Sequence, residues 1–253
     1  MRLTRLHHDG PLRAGATLAL EAGAARHLVS VLRMKVGDGL RLFDGAGHEH
    51  EASIASLRSK QVEVAVGEAT VPLAESPLAI TLAQGVSRGE RMDYAFQKAT
   101  ELGVRHLVPL LCERSVVKLD PAQAQKRLEH WRGVVIAACE QCGRATLPTI
   151  AAPTALDVHL AAAASHPARI RVVLSPDAAA GLGALPQPVR EVELLIGPEG
   201  GLSALELALA ARTLSRAPAR AARAAHRDRG RSRDRGAAGA ARRPRLSRDG
   251  RLP

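Results

Sequence analysis

Two different rhythms of apolar and polar residues divide the chain into two parts. Residues 1–70 carry short runs that are typical of strands, at 17–20, 40–43 and 61–66. In the last of these runs every second residue is a valine, which predicts a strand with one buried face. The spacing of these runs and the turn residues between them predict a small β-barrel domain.

One helix and one linker complete this first part. Residues 21–32 have helical spacing, and the predicted apolar face consists of Leu28, Val31 and Leu32. Residues 71–77 begin and end close to prolines, which predicts a linker between two domains.

From residue 78 onward, strand-like runs alternate with helical ones. The predicted strands are residues 80–86, 106–112, 171–174 and 192–196. The predicted helices are 90–102, with Met92, Phe96, Ala99 and Leu102 facing inward, and 121–142, with Trp131, Val135 and Ala138 facing inward. Alternation of this kind indicates an α/β domain with a mostly parallel sheet, which we assign to residues 78–211.

Length and composition exclude several classes of protein. The chain has 253 residues, of which 46% are hydrophobic, so it can bury a core and is not disordered throughout. The sequence has no apolar run of membrane-spanning length and no apolar signal segment near residue 1. Three cysteines are typical of a reducing compartment. We therefore expect a cytoplasmic protein with no membrane contact.

The net charge lies in one segment. The formal charge is +11, yet residues 212–253 contain 14 of the 36 basic residues and 3 of the 25 acidic ones, so residues 1–211 sum to zero. This Arg/Ala-rich tail lacks a periodic apolar face and is predicted to be disordered. It is either a basic RNA-binding arm or a segment never selected as protein.

The most informative motif is the stretch LLIGPEGGLSALE at residues 194–206. An apolar strand runs into a glycine-rich loop, and Ser203 with Glu206 forms the pattern of a capping box at the start of a helix. Such a loop can present bare backbone groups to a ligand, although an ordinary strand-to-helix turn has the same pattern. The stretch matches neither the dinucleotide-binding nor the P-loop motif.

Other polar groups carry weaker signals. Cys139 and Cys142 have the spacing of a zinc half-site, but the sequence offers no second pair, so we predict buried small residues and no metal. Residues 87–90 lie at the end of a strand, where they form either part of a ligand site or a solvated loop. The four aromatic residues are too few to predict a stacking platform for RNA bases.

Several of these stretches together resemble a known family. They are SRGERMDYAFQKATELGV (87–104), ERSVVK (113–118), WRGVVIAACEQCGR (131–144) and LLIGPEGGLS (194–203), together with MRLTRLHH, HLVSVLRMKVGD and LFDG in the first domain. The resemblance is collinear over residues 1–211. It is to the ribosomal RNA small-subunit methyltransferase E family, within the SPOUT class.

The resemblance implies a fold and an activity. The family pairs a PUA-like barrel with a trefoil-knotted α/β domain and works as a homodimer. It transfers a methyl group from S-adenosylmethionine to N3 of one uridine in 16S rRNA of the small ribosomal subunit. Since knots are rare in protein chains, no periodicity could have predicted this one.

The resemblance also implies site residues. The expected cofactor-binding residues are Leu174, Leu195, Ile196, Gly197, Pro198, Glu199, Gly200 and Gly201. The candidates for RNA contact, chosen for their positive charge and their place in the sequence, are Arg26, Arg33, Lys35, Arg88, Arg114 and Arg144, although such residues are more commonly solvated surface positions. Arg88 is also the candidate for stabilising the anionic uracil, and no general base is assigned. Ser175 stands where many family members have histidine.

The chain departs from the family after the glycine-rich loop. The family continues with a motif like LGPRVLRTETA and an alanine-rich helix, which complete the knot and the cofactor pocket, and neither is present. Codons exist for residues 219–230 whose neighbouring reading frame encodes that motif. We therefore interpret residues 212–253 as out-of-frame translation and expect the chain as written to bind S-adenosylmethionine poorly. The alternative is a non-catalytic RNA-binding protein with a basic arm.

Overall fold

A computed structural model describes residues 3–58, 61–117, 119–163, 169–174, 185 and 187–213. The tail was predicted to be disordered from residue 212, but residues 212 and 213 are helical. The expectations for Ser175, and for the rest of the tail with the completion of the knot, lie outside the described residues. Among the helices that are described, none combines the length and the apolar character needed to cross a membrane.

The first domain is the β-rich unit that the alternating valines predicted. Its strands are β1 (Thr4–His7), β2 (Thr17–Ala19), β3 (Gly39–Phe43), β4 (Glu49–Arg58) and β5 (Gln61–Thr70). They form one sheet in the order β1-β3-β4-β5-β2, in which β1 and β3 are parallel and the other pairs antiparallel. Val62, Val64 and Val66 of β5 are buried, as predicted. Strands β1 and β4 were not predicted.

The helix of this domain differs from the prediction. Helix α1 covers only Ala22–Arg26 and continues as a π-helical turn over His27–Val31, closed by the bond from Leu32 N–H to the His27 carbonyl. Leu28 is fully buried, but Val31 and Leu32 are 64% and 41% exposed. The wider π turn breaks the 3.6-residue spacing on which the predicted apolar face depended, so these two side chains turn outward.

The second domain alternates strands and helices, as predicted. Its strands are β6 (Ala79–Gly85), β7 (His106–Leu111), β8 (Thr149–Ile150), β9 (Thr154–Ala155), β10 (Ile170–Leu174) and β11 (Glu191–Ile196). Its helices are α2 (Glu90–Glu101), α3 (Pro121–Cys142), α4 (Leu156–Ala163) and α5 (Ala204–Thr213). The strands form a parallel sheet in the order β10-β11-β6-β7-β8, with β9 also paired to β7.

Helices cover both faces of this sheet. Helices α2 and α3 pack on one face, where Phe96 and Trp131 meet edge to face with ring centroids 5.4 Å apart. Helices α4 and α5 pack on the other, against Ala83, Val173 and Leu195. Burial of apolar strands between two helical layers is what their unbroken hydrophobic runs require.

Most inward-facing residues of α2 and α3 are where the sequence predicted them. Met92, Phe96, Ala99, Trp131, Val135 and Ala138 are all buried. Leu102 was expected to join them but is 79% exposed, because α2 ends at Glu101 and the chain leaves the helical path there. Cys139 is buried and Cys142 half-buried, which agrees with their assignment as small packing residues.

One arginine from the first domain joins it to the second. Arg5 donates to the Cys139 carbonyl over 2.6 Å and to the Arg144 carbonyl over 3.2 Å, at the end of α3. The same guanidinium binds Glu49 and lies 4.7 Å from the centre of the Phe43 ring. Arg5 is mostly buried, so these contacts are shielded from water and fix one domain against the other.

Arg144, expected to contact RNA, is buried instead. Its guanidinium binds both oxygens of Glu75, at 3.0 and 2.8 Å, and donates to the carbonyls of Thr100 and Val104, at 2.8 and 3.0 Å. Only 4% of the residue is exposed. Because its donors are directed to these internal acceptors, the structure contradicts a role for Arg144 in RNA binding.

Replacing Arg144 with methionine should therefore destabilise the fold. Arg144→Met leaves Glu75 and two carbonyls without their partner, and loss of one partner from a buried ion pair typically costs about 3–5 kcal/mol. The matched control is Arg132→Met, which breaks the exposed pair with Asp9 and should cost about 1 kcal/mol or less. Urea unfolding of the two variants measures both changes, and equal losses would contradict this account of Arg144.

Candidate functional site

The candidate site lies at the carboxyl edge of the parallel sheet. Leu174 is paired with Ile196, and Ile196 with Gln84, so β10, β11 and β6 end side by side. Residues 197–201, the glycine-rich loop, follow directly after β11. The carboxyl ends of parallel strands are where open α/β sheets bind ligands.

The glycine-rich loop crosses the end of β6. A Cβ atom on Gly85 would lie 2.5 Å from Pro198 Cδ and 2.8 Å from the Gly197 carbonyl carbon, so no side chain fits there. The Gln84 side-chain amide donates to the carbonyls of Gly85 (3.0 Å) and Gly197 (3.3 Å), which ties the loop to the strand beneath it. Gly85 was not among the predicted site residues, although its place at the end of a predicted apolar strand was a usable signal.

A tight turn shapes the loop. Gly201 donates to the Pro198 carbonyl over 2.8 Å and adopts a φ of 69°, which a residue with a side chain rarely adopts. A Cβ on Gly201 would meet nothing within 4 Å, so open space adjoins this backbone. The open space and the bare loop suit a ligand bound by backbone groups, as a nucleoside cofactor can be.

The predicted cofactor residues divide into two groups. The loop residues, with Leu174 and Ile196, come together at the sheet edge. The side chain of Leu195 is instead buried under α4 and α5, so only its backbone can take part. The arrangement therefore fits the predicted cofactor through backbone groups and two apolar strand ends.

Glu199 is held at the mouth of the loop. Its carboxylate accepts the backbone N–H of Arg88 over 3.0 Å and lies 3.4 Å from the Arg91 guanidinium. The Arg88 hydrogen bond is the largest cause lowering the pKa of Glu199, so this carboxylate is ionised at neutral pH. The loop is thereby attached to the turn that follows β6.

Arg114 attaches the other side of the loop to the turn that follows β7. Its guanidinium donates to the Gly200 carbonyl over 3.2 Å, and its Cβ would be 3.2 Å from a Cβ on Gly200. Of the predicted RNA contacts, Arg88 and Arg114 thus lie beside the loop. Both are exposed.

The predicted capping box opens α5. Ser203 N–H donates to Glu206 over 2.8 Å, and Glu206 N–H donates to the Ser203 hydroxyl over 3.3 Å. The other oxygen of Glu206 accepts the N–H of Glu113 over 2.7 Å, a contact that the sequence did not predict.

The thiol of Cys112, next to this network, is protonated. Burial, and after it the nearby Glu206 charge, raises the pKa of its thiol to about 12. It is therefore a neutral thiol at physiological pH.

The other predicted RNA contacts lie in the first domain. Arg26, Arg33 and Lys35 are all exposed, within and after α1 and its π-helical turn. The described residues include no cluster of three or more histidine, cysteine or acidic side chains suited to a metal ion.

Comparisons with known proteins agree with this geometry. Residues 20–67 match a family described as the RNA methyltransferase PUA domain, and residues 74–217 match one described as the RNA methyltransferase domain. The ribosomal RNA small subunit methyltransferase E of Buchnera aphidicola is 31% identical over 206 residues, which cover 81% of this chain and 83% of that protein.

Two solved structures are similar over most of their length. One is a methyltransferase from Legionella pneumophila in complex with S-adenosylmethionine, with 38% identity, a TM-score of 0.79 and coverage of 84% of this chain and 87% of that one. The other is the ribosomal RNA small subunit methyltransferase E of Neisseria gonorrhoeae bound to the same cofactor. It has 35% identity, a TM-score of 0.78 and coverage of 84% and 86%.

A methyl group added at Gly85 should disturb the crossing of the loop. Gly85 has no positive φ, so the effect of Gly85→Ala is steric, and overpacking of this kind typically costs about 1–3 kcal/mol. Gly133→Ala in α3 is the matched control, because a Cβ there meets nothing within 4 Å. A glycine-to-alanine change in a helix should stabilise by about 0.5–1 kcal/mol. Chemical denaturation measures both, and a Gly85→Ala protein as stable as the parent would refute the close crossing.

Proposed function

This chain belongs to the ribosomal RNA small subunit methyltransferase E family, and we propose that it methylates N3 of a uridine in 16S rRNA with S-adenosylmethionine as methyl donor. The observation that carries the proposal is the glycine-rich loop crossing Gly85 at the carboxyl edge of the sheet. Two similar proteins were solved with this cofactor bound. We assign the cofactor to the backbone of residues 197–201, with Leu174 and Ile196 as its apolar contacts.

The residues around the loop suit the chemistry of this transfer. S-adenosylmethionine, when bound, supplies an electrophilic methyl group. Uracil N3 must lose its proton to accept that group, and the negative charge then spreads over the neighbouring carbonyl oxygens. Arg88 is exposed beside the loop, where its guanidinium can stabilise that charge. The remaining contribution of the protein is to hold donor and acceptor in line.

The first domain supplies a surface for RNA. A groove of about 510 Å³ runs between α1 with its π-helical turn and the β4–β5 pair. Arg26 and Arg58 line it together with the half-exposed Val29 and Leu57. Cations beside apolar side chains suit phosphates and unstacked bases, respectively.

Arg33 is not among the residues that line this groove, but its backbone makes it a further candidate on the same domain. It adopts a left-handed φ of 54°, which costs a residue with a side chain about 1–2 kcal/mol. Strain of this kind concentrates at functional positions.

Arg26→Ala should reveal a phosphate contact in this groove. Removing one such contact lowers the slope of log affinity against log salt by about 1. The control is Arg190→Ala, an exposed arginine at the opposite edge of the second sheet from the glycine-rich loop. Filter binding of 16S rRNA fragments at several salt concentrations measures both slopes. Unchanged slopes in both variants would remove Arg26 from the RNA surface.

The family relationship also supports two finer proposals. We infer that the chain forms a homodimer and acts in the cytoplasm, where it would meet its rRNA substrate. Exposed apolar side chains on α4 and α5, namely Val158, Leu205 and Leu207, support a second copy as their cover. Sedimentation of the purified chain tests the dimer.

Residues 212–253 limit the activity of the chain as written. We propose that this segment is out-of-frame translation that replaces the family's last cofactor-binding motif, as the codon argument indicates. In support, all of the formal charge of +11 falls in this segment. The nucleotide sequence of the gene tests the proposal directly, since stop codons in the neighbouring frame would reject it.

The experiment that tests the function compares this chain with a frame-restored version. The restored chain should bind S-adenosylmethionine about tenfold or more tightly, because it regains the missing cofactor-binding motif and a tenfold change requires only about 1.4 kcal/mol, roughly the net contribution of one hydrogen bond. It should also methylate small ribosomal subunits faster. Calorimetry and transfer of a labelled methyl group measure these differences.

Each other outcome has a distinct meaning. Methylation at the same rate by both chains would reject the reading-frame proposal. Absence of methylation by both chains would reject the proposed function. Salt-sensitive RNA binding without methylation, lost when residues 212–253 are deleted, would instead establish a non-catalytic protein with a basic arm.

A further inference from the structure

Glu206 joins two segments that meet beside the glycine-rich loop. One carboxylate oxygen accepts the N–H of Ser203 over 2.8 Å, and the other accepts the N–H of Glu113 over 2.7 Å. We call these two hydrogen bonds the Glu206 clamp. The first is the expected capping bond within α5, whereas the second reaches a turn 93 residues earlier in the chain.

The clamp has the features of a strong and specific contact. Glu206 is 8% exposed, so its bonds face little competition from water. Hydrogen bonds from backbone N–H groups to a buried carboxylate are charge-assisted, and they are shorter and stronger than neutral ones. The position in the first turn of α5 also favours a negative charge there.

The turn that Glu206 holds also has hydrogen bonds of its own. Ser115 N–H donates to the Cys112 carbonyl over 3.0 Å, and Cys112 N–H donates to the Ser115 hydroxyl over 3.2 Å. Arg114, in the same turn, donates to the Gly200 carbonyl from the exposed side. The turn therefore contacts the glycine-rich loop through Arg114. Glu206 holds the same turn through the backbone N–H of Glu113.

We propose that Glu206 is a positioning residue for the methyl donor: it locks the turn at residues 112–115 against residues 197–203 and so sets the shape of the glycine-rich loop before the cofactor arrives. The inference rests on the function proposed above, since it concerns the same loop. A preset loop loses less conformational freedom on binding, which raises affinity without any new contact. Glu206 itself needs no contact with the cofactor.

The length and charge of the side chain make the role testable. Aspartate at this position can still cap Ser203 but is one methylene too short to reach Glu113. Glutamine keeps the length but replaces one acceptor oxygen with a donor, so it can hold one N–H and not both. Alanine removes both bonds.

Amide hydrogen exchange of the full chain, resolved by residue with NMR, tests the clamp directly. In Glu206→Asp the Glu113 amide should exchange about tenfold faster or more, because a hydrogen bond to a charged group is lost, while the Ser203 amide stays protected. In Glu206→Ala both amides should exchange faster. Glu129→Gln, an exposed change in α3, is the control and should leave both amides unchanged.

Cofactor affinity separates positioning from simple loss of stability. Glu206→Asp should weaken S-adenosylmethionine binding about tenfold, while kcat at saturating cofactor changes by less than about threefold. Glu206→Gln should fall between Glu206→Asp and the parent. Calorimetry measures the affinity and methyl transfer measures kcat. Both are measured on this chain or on its frame-restored version, whichever binds the cofactor.

The results distinguish failure of the clamp from failure of the proposed function. An unchanged Glu113 amide in Glu206→Asp, or parental cofactor affinity in that variant, overturns the positioning role. If Glu206→Ala does not fold, the aspartate and glutamine variants decide. If the Glu113 amide exchanges faster in Glu206→Asp than in the parent, but the parent never methylates RNA, the clamp remains a structural contact, whereas the proposed function and with it the positioning role are rejected.

Discussion

The site depends on the close passage of the glycine-rich loop over the end of β6. Backbone can cross backbone at this distance only where the lower strand lacks a side chain, and Gly85 meets that condition. After this crossing the chain has passed from β11 over β6 to the end of β7. There Arg114 binds the Gly200 carbonyl, and Glu206 accepts the N–H of Glu113. This path also brings Glu199 to the turn after β6, where its carboxylate accepts the backbone N–H of Arg88.

A second polar network holds the two domains together at the end of α3. Arg5 reaches carbonyls of the second domain from β1, while Arg144 ties the linker residue Glu75 to the end of α2. Buried charges of this kind must be fully paired, since an unpaired one would cost several kcal/mol. The first domain therefore has a fixed orientation relative to the glycine-rich loop, which suits the proposed binding of RNA across both domains.

Features that depend on neighbouring residues were predicted well, and those that depend on distant segments were not. Alternating valines predicted β5, and the inward faces of α2 and α3 were predicted almost in full, because these patterns depend on neighbouring residues alone. The errors at Val31, Leu32 and Leu102 occurred where a helix widened or ended, which periodicity cannot indicate. Arg144 and Arg114 look alike in sequence, since both are arginines near the end of an element. Their environments differ because Glu75 and two carbonyls surround one, whereas Gly200 and solvent surround the other.

The sequence by itself determined the alternation of strands and helices from residue 78 onward, the parallel sheet, the capping box and the confinement of the net charge to residues 212–253. It also contained the motifs of the family, and through that resemblance the prediction that the glycine-rich loop binds the cofactor. Tertiary structure alone decided that Gly85 lies under that loop, that Glu206 reaches Glu113 and that Arg144 is structural. The reason is physical: periodicity and capping arise from residues within a few positions of each other, whereas these contacts join segments far apart in the chain. Their partners are known only once the sheet order has placed β11, β6 and β7 side by side.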